Sequence, residues 1–193
     1  MVADGTQSAM KKLRDVIVLL GIAVAFAISL ALLQRAVGLT SPWFAAMVMF
    51  DFLGLVAFAR PLFLLKLPGF LRKERAWESK GTVYKALGVP VFGALLRETP
   101  LRYLNPFVYL KRQPDFSIVQ AQIESAEAAH LLAMALLVPY MAYACVRNWR
   151  GAVAWLTVLQ IGFNLYPILH LRWVRVRLNR LHHRMLSGRK GAT

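Results

Sequence analysis

The stretch VIVLLGIAVAFAISLALL, Val16 to Leu33, carries no charge and is long enough to cross the roughly 30 Å hydrocarbon layer of a bilayer as a helix. It is too long for the apolar region of a cleaved signal peptide, and no small-residue cleavage site precedes Gln34 and Arg35, so it reads as a retained span. Three further apolar runs follow. One covers about 42–65, opening at Pro42, a residue suited to the first helical position after Ser41, and is interrupted by Asp51 and by Arg60-Pro61. The others cover about 119–146 and 151–171, joined by the short polar turn Arg147-Asn148-Trp149-Arg150. The expected fold is all-α: an integral membrane four-helix protein, one transmembrane domain over residues 1–193 with spans at about 16–33, 42–65, 119–146 and 151–171.

Composition agrees with that reading. Of 193 residues 58% are hydrophobic and only 17% charged, and the mean hydropathy is +0.50. A soluble domain of this length seldom has such a balance. The chain nevertheless holds 24 Lys and Arg against 9 Asp and Glu, a formal charge of +15. Nucleic-acid binding would need those cations on a soluble face interleaved with aromatics, whereas they flank the apolar blocks, so nucleic acid is excluded as a partner. The single cysteine, Cys145, excludes an intramolecular disulfide and a cysteine-based zinc cluster.

The cations set the orientation instead. Lys11, Lys12 and Arg14, eleven residues from Arg60 to Arg112 and seven from Arg172 to Lys190 lie on one side, against only Arg35, Arg147 and Arg150 on the other. Basic loops are retained in the cytoplasm, so both termini, the loop 66–118 and the basic tail 172–193 are expected on the cytoplasmic face of the inner membrane, where the cations also meet anionic headgroups of membrane lipids. Within that loop, Tyr84 to Leu96 places Leu87, Val91 and Leu95 at helical spacing, and Leu101 to Leu110 adds Tyr103, Phe107 and Tyr109, aromatics favoured at headgroup depth. One or two short interfacial amphipathic helices between spans two and three are expected, with a plain connecting loop as the alternative because of Pro90 and the neighbouring glycines.

Ionisable groups inside a span cost about 2.5 to 3.5 kcal/mol each on insertion scales, so they mark candidates for chemistry. They are Asp51, Glu124, Glu127, His130 and His170. Glu127 and His130 are three residues apart, on one helical face, with Glu124 one turn further toward the cytoplasm on the same stripe. A carboxylate beside an imidazole can fix its tautomer and let the other ring nitrogen take a proton from an attacking hydroxyl, an arrangement suited to acyl transfer. No Gly-x-Ser-x-Gly elbow is present and neither Ser125 nor Cys145 stands in a nucleophile setting, which favours direct attack over an acyl-enzyme. The structural alternative is interhelical hydrogen bonding. A metal site is disfavoured, because HExxH is absent and His170, His182 and His183 supply no standard ligand spacing.

A second cluster starts at Asn164, in the cytoplasmic half of span four, and continues through His170 to Arg172, Arg175, Arg177 and Arg180. Guanidinium groups at these spacings suit the phosphates of a cofactor or lipid, or serve only as a positive stop signal at the membrane face.

With both clusters in view the chain resembles the membrane acyltransferases that esterify carotenoid glycosides, the glycosyl-diaponeurosporenoate acyltransferase family. The resemblance rests on Ala126-Glu127-Ala128-Ala129-His130 and, in order, Asn164-Leu165, Ile168, Arg172, Arg175, Arg177 and Leu178, and spans roughly the last 110 residues from about Tyr84. Trp173 and Val174 stand where the family motif has Tyr-Asn, Leu171 where a glutamine is common, and Phe92-Gly93-Ala94 where a Trp-Lys-Asp stretch is expected.

Together the residues and the resemblance imply transfer of a fatty acyl group from a thioester donor to a hydroxyl of a glycolipid or isoprenoid, carotenoid-like glycoside. The expected catalytic residues are His130 as general base, Glu127 orienting it, and Asn164 hydrogen-bonding substrate or oxyanion. Arg172, Arg175 and Arg177 are expected to bind phosphates of the donor, acyl-CoA or an acyl-carrier protein, with no tightly bound cofactor and a hydrophobic acyl acceptor held between the spans. Methyl transfer to a lipid and a non-catalytic role in a membrane complex are the competing readings, and a four-span transporter without inverted repeats is the least favoured.

Overall fold

The computed structural model describes residues 2–59, 65–104 and 115–190, and the elements within them are helical throughout. Helix α1 (Val2–Val37) carries the charge-free stretch, and α2 (Pro42–Ala59) follows after a four-residue connection, residues 38–41. Gly38, at φ +76°, ends α1 with a bond from its N–H to the Gln34 carbonyl (3.0 Å). The Ser41 hydroxyl accepts the Trp43 N–H (3.2 Å), so Ser41 caps α2 and Pro42 occupies its first turn. Four short helices come next: α3 (Gly69–Arg72), α4 (Ala76–Lys80), α5 (Thr82–Ala86) and α6 (Val89–Glu98), then a 3₁₀ turn at Pro100–Leu104. Helix α7 (Phe116–Val146) is separated by a tight turn, with Asn148 at φ +57°, from α8 (Arg150–Gln160). A π-helical turn, Ile161–Leu165, leads from α8 directly into α9 (Tyr166–Lys190).

Three of these helical runs are long and apolar enough to cross a membrane: Leu13–Val37, Phe116–Val146 and Arg150–His182. They contain the runs read from sequence at 16–33, 119–146 and 151–171. The run expected at 42–65 is apolar over Pro42–Ala57, shorter than the others, and residues 60–64 lie outside the described residues. So do Phe107 and Tyr109 of the expected aromatic cluster. In place of one or two helices, the described part of the loop 66–118 holds four α-helices, because left-handed glycines at Gly81 (φ +69°) and Gly88 (φ +71°) end α4 and divide α5 from α6.

The chain divides into two compact units, residues 1–63 with 132–160, and residues 64–131 with 161–193. In the first, one face of α2 (Phe44, Ala45, Val48 and Met49) packs with Leu137, Ala152 and Leu156. Ala45, Ala133, Ala144 and Ala152 are fully buried, the small residues that let helices approach closely where lipid supplies no hydrophobic driving force. The Tyr140 hydroxyl donates to the Leu39 carbonyl (3.0 Å) and its ring meets Phe44 edge-on.

In the second unit Ile123 and Ala126 of α7 pack on Leu171 of α9. Helix α6 buries Val89 and Gly93 and exposes Leu87's neighbour on the turn, Val91, together with Leu95. Gly93 lies against the buried imidazole of His170: a Cβ there would stand 2.5 Å from Cε1 and 2.9 Å from Nδ1. Phe92 and Trp173 flank the same ring, leaving it little room to retreat. Gly93→Ala is therefore expected to cost about 1 to 3 kcal/mol of stability, the usual range for overpacking, read as a lower thermal unfolding midpoint in detergent. An unchanged midpoint would show that α6 shifts freely.

Candidate active site

The polar stripe of α7 faces arginines brought to it from α9. Glu127, 2% exposed, accepts from Arg175 Nε at 3.1 Å and from Arg172 Nη1 at 3.4 Å. Arg175 is likewise 2% exposed, and its remaining donors reach the carbonyls of Arg72 (2.9 Å) and Leu71 (3.4 Å). Arg172 also pairs with Glu78 of α4 and donates to the carbonyls of Leu71 and Lys73. The buried charges thus alternate, Glu78–Arg172–Glu127–Arg175, and each guanidinium also satisfies carbonyls at the C-terminal end of α3, with Arg172 reaching Lys73 just beyond it. Buried ions persist only when paired and hydrogen-bonded in this way. One turn away, Glu124 extends the same latch by accepting from Arg72 (2.9 Å) and the Leu67 N–H (3.1 Å).

The π-helical turn supplies the second component. Asn164 is fully buried within it, and its Oδ1 lies 3.4 Å from His130 Nδ1. An amide oxygen only accepts, so a hydrogen bond across this contact requires the proton on Nδ1, which is the tautomer that a general base acting through Nε2 needs. Widened π turns recur at functional sites because they redirect one side chain off the regular helical spacing.

Of the residues read from sequence, the structure brings His130 to Asn164 and Glu127 to Arg172 and Arg175. Glu127 and His130 share a stripe, but the carboxylate's ion pairs are with arginine. Arg177 diverges from Arg172 and Arg175, lying over the Trp173 ring at 4.9 Å. His170 is enclosed by Gly93, Phe92 and Trp173, and His182 stacks on Phe116 with 4.0 Å between ring centroids. No group of three or more His, Cys, Asp or Glu side chains suited to a metal gathers among the described residues.

Glu78 and Tyr84 are the residues that sequence reasoning missed. Glu78, 1% exposed, accepts the Arg75 N–H (2.6 Å) and the Tyr84 hydroxyl (3.1 Å) as well as Arg172. The only local signal is the spacing Arg75-x-x-Glu78, whose glutamate closes a capping box at the start of α4. Beside this network lies an apolar cavity of about 200 Å³, with Leu67, Leu71, Leu131 and Ile168 on its walls and Glu127, Arg172 and Tyr84 as polar groups.

The comparison with known families joins these parts. The family model described as glycosyl-4,4'-diaponeurosporenoate acyltransferase matches residues 68–184, more than half the chain, including every ion pair of the latch and the His130–Asn164 contact. The chain belongs to this family. It is an acyltransferase, of a family assigned to carotenoid biosynthesis, with helices suited to spanning a membrane. No curated protein and no solved structure matches it.

The acyltransferase's latch has a pH dependence that follows from Glu78. Burial pushes its carboxyl up, but the Arg172 guanidinium, the Arg75 N–H and the Tyr84 hydroxyl outweigh burial and hold it below the ordinary 4.5. Burial and the adjacent Glu78 carboxylate hold the Tyr84 phenol well above its usual value, so it remains a proton donor to that carboxylate. A carboxyl with a lowered folded value adds stability that is complete above about pH 4.5 and is lost as pH falls through the folded value. The expected result is a thermal midpoint that falls on acidification below that pH, with a shallower fall in Glu78→Gln; identical slopes would remove Glu78 from the linkage.

Proposed function

We propose that the acyltransferase moves a fatty acyl group from a thioester donor, acyl-CoA or an acyl-carrier protein, to a hydroxyl of a glycolipid or isoprenoid, carotenoid-like glycoside. The observation that carries the chemistry is the His130–Asn164 contact at 3.4 Å, which we read with Nδ1 as the donor and Nε2 as the basic nitrogen. In this mechanism Nε2 takes the proton of the acceptor hydroxyl as its oxygen attacks the thioester carbonyl. The carbon–sulfur bond breaks, and the thiolate leaves as the imidazolium returns its proton, giving an ester and a free thiol. Asn164 holds the ring, and its amide nitrogen is a donor suited to the developing oxyanion. Glu127 acts at one remove, as the anion that fixes Arg172 and Arg175 against the linker. The acyl chain would enter the apolar cavity beside Leu131 and Ile168.

The reading includes topology. Pro42–Ala57 would serve as a fourth, short span, and the 21-to-3 division of cations would keep both termini and the linker at the cytoplasmic face of the inner membrane. Exposed Phe70, Trp77, Val91 and Tyr103 support a linker whose short helices lie at headgroup depth. The test is to supply purified protein in lipid vesicles with a glycosylated isoprenoid acceptor and labelled acyl-CoA or acyl-carrier protein. Label is expected in the extracted acceptor as an alkali-labile ester. Ester formed only when a phospholipid replaces the thioester would overturn the donor assignment.

A further inference from the structure

Helix α9 carries two arginine faces, and the latch uses only one. Arg172 and Arg175 turn to buried carboxylates, whereas Trp173, Arg177 and Arg180, at i, i+4 and i+7, line a separate open cavity of about 440 Å³. Its opposite wall is the α4–α5 turn. Gly81, left-handed at φ +69°, lets the chain reverse close to Trp173, where a Cβ would come within 3.7 Å of the indole nitrogen, and so carries Lys80 and Lys85 to the same cavity. Four cations from two segments about a hundred residues apart therefore face one space. The single acid on its wall, Glu78, has its carboxylate engaged by Arg172, the Arg75 N–H and the Tyr84 hydroxyl. The volume is within the roughly 300 to 1,000 Å³ of small-molecule sites, and the charge selects an anion.

We infer that this cavity, with Lys80, Lys85, Arg177 and Arg180 as its cations, binds the phosphate-ester portion of the soluble thioester donor. The inference rests on the thioester-donor reading above and moves the phosphate-binding role away from Arg172 and Arg175. Arg177 over the Trp173 ring provides a planar guanidinium whose outward N–H groups can pair with phosphate oxygens. Glu78 lines both this cavity and the apolar one, so the donor's anionic end and its acyl end would lie on opposite sides of the Glu78–Arg172 pair.

The experiment measures equilibrium binding of CoA, 4'-phosphopantetheine and unphosphorylated pantetheine to the full chain in neutral detergent, without turnover. Wild type is expected to prefer CoA over pantetheine by at least about tenfold, the scale of one charge-assisted phosphate contact. In Lys80→Gln/Lys85→Gln and, separately, in Arg177→Gln, that preference is expected to collapse. Both lysines and Arg177 are exposed, so folding should survive, and a retained thermal midpoint verifies it. Arg102→Gln, which removes one cation outside the cavity, is expected to keep the preference. An equal loss with Arg102→Gln, or no loss with the cavity variants, overturns the site. Displacement of CoA by anionic phospholipid but not by 4'-phosphopantetheine would assign the phosphate to a lipid headgroup and overturn the donor assignment. The outcomes separate the two readings: acyl transfer from acyl-CoA with binding indifferent to the cavity variants rejects this site alone. Cavity-dependent CoA binding without any acyl transfer from thioesters rejects the proposed reaction while the anion site stands.

Discussion

Replacing His130 with alanine is expected to lower acyl-transfer turnover by roughly 10² to 10⁴-fold, the usual contribution of a positioned general base. The effect should fall on turnover rather than on donor affinity, because in the proposed mechanism the imidazole acts on the acceptor hydroxyl and the charged donor is held by the cations of the α9 cavity. Stability should change little, since His130 is only partly buried and lies outside the ion-paired latch. Asn164 provides the finer test. The Oδ1···Nδ1 contact of 3.4 Å fixes a neutral partner on the ring. Asn164→Asp would replace that partner with a carboxylate, which favours the imidazolium and is expected to move the acid limb of the pH–rate profile to higher pH. Asn164→Leu removes the hydrogen bond and should lower turnover without that displacement. A merely structural Asn164 would change expression or stability in both variants and leave the profile in place. Full activity in His130→Ala would remove the base from the mechanism altogether.

The long helices and half of this site were legible in the chain because both are written locally. A charge-free run marks the part of α1 long enough to cross a membrane, and a three-residue interval puts Glu127 and His130 on one stripe of α7. Their partners were not legible for the opposite reason. Glu78 reaches Arg172 across 94 positions of sequence, and nothing around Trp77-Glu78-Ser79 distinguishes a buried ion from an exposed one. Arg172 and Arg175 read as phosphate ligands because a guanidinium fits carboxylate, phosphate and carbonyl oxygens alike. Only the fold shows which oxygens meet it. The π turn at Ile161–Leu165 left no mark either, since a segment apolar on nearly every face keeps no phase by which a widened turn can be noticed. The linker was read with fewer helices because Gly88 was weighed only as weakening one helix and Gly81 was not weighed at all, whereas each adopts a left-handed turn at the end of a short one.

Removing Glu127 alone is expected to cost about 3 to 5 kcal/mol of folding stability, the range for breaking a buried ion pair, and to appear in detergent as a large fall in the thermal midpoint of Glu127→Ala. The cost comes from what remains: Arg175, 2% exposed, would keep its charge with only the Arg72 and Leu71 carbonyls to solvate it. Arg175→Met should be damaging for the complementary reason, leaving Glu127 with only the 3.4 Å contact to Arg172 and the two linker carbonyls without Arg175's donors. Removing both charges, in Glu127→Leu/Arg175→Met, is expected to recover much of the loss, because neither ion then has to be held away from water. Recovery should be incomplete by about 1 kcal/mol per linker hydrogen bond forfeited. The cycle also decides between anchoring and ligand binding for Arg175. An arginine kept for donor phosphate would lose affinity when replaced by methionine while the midpoint held, and Glu127→Leu would not rescue it. The geometry gives the reverse expectation, in which the single variants unfold, the double variant refolds, and the preference for phosphorylated donor in the refolded protein follows Lys80, Lys85 and Arg177.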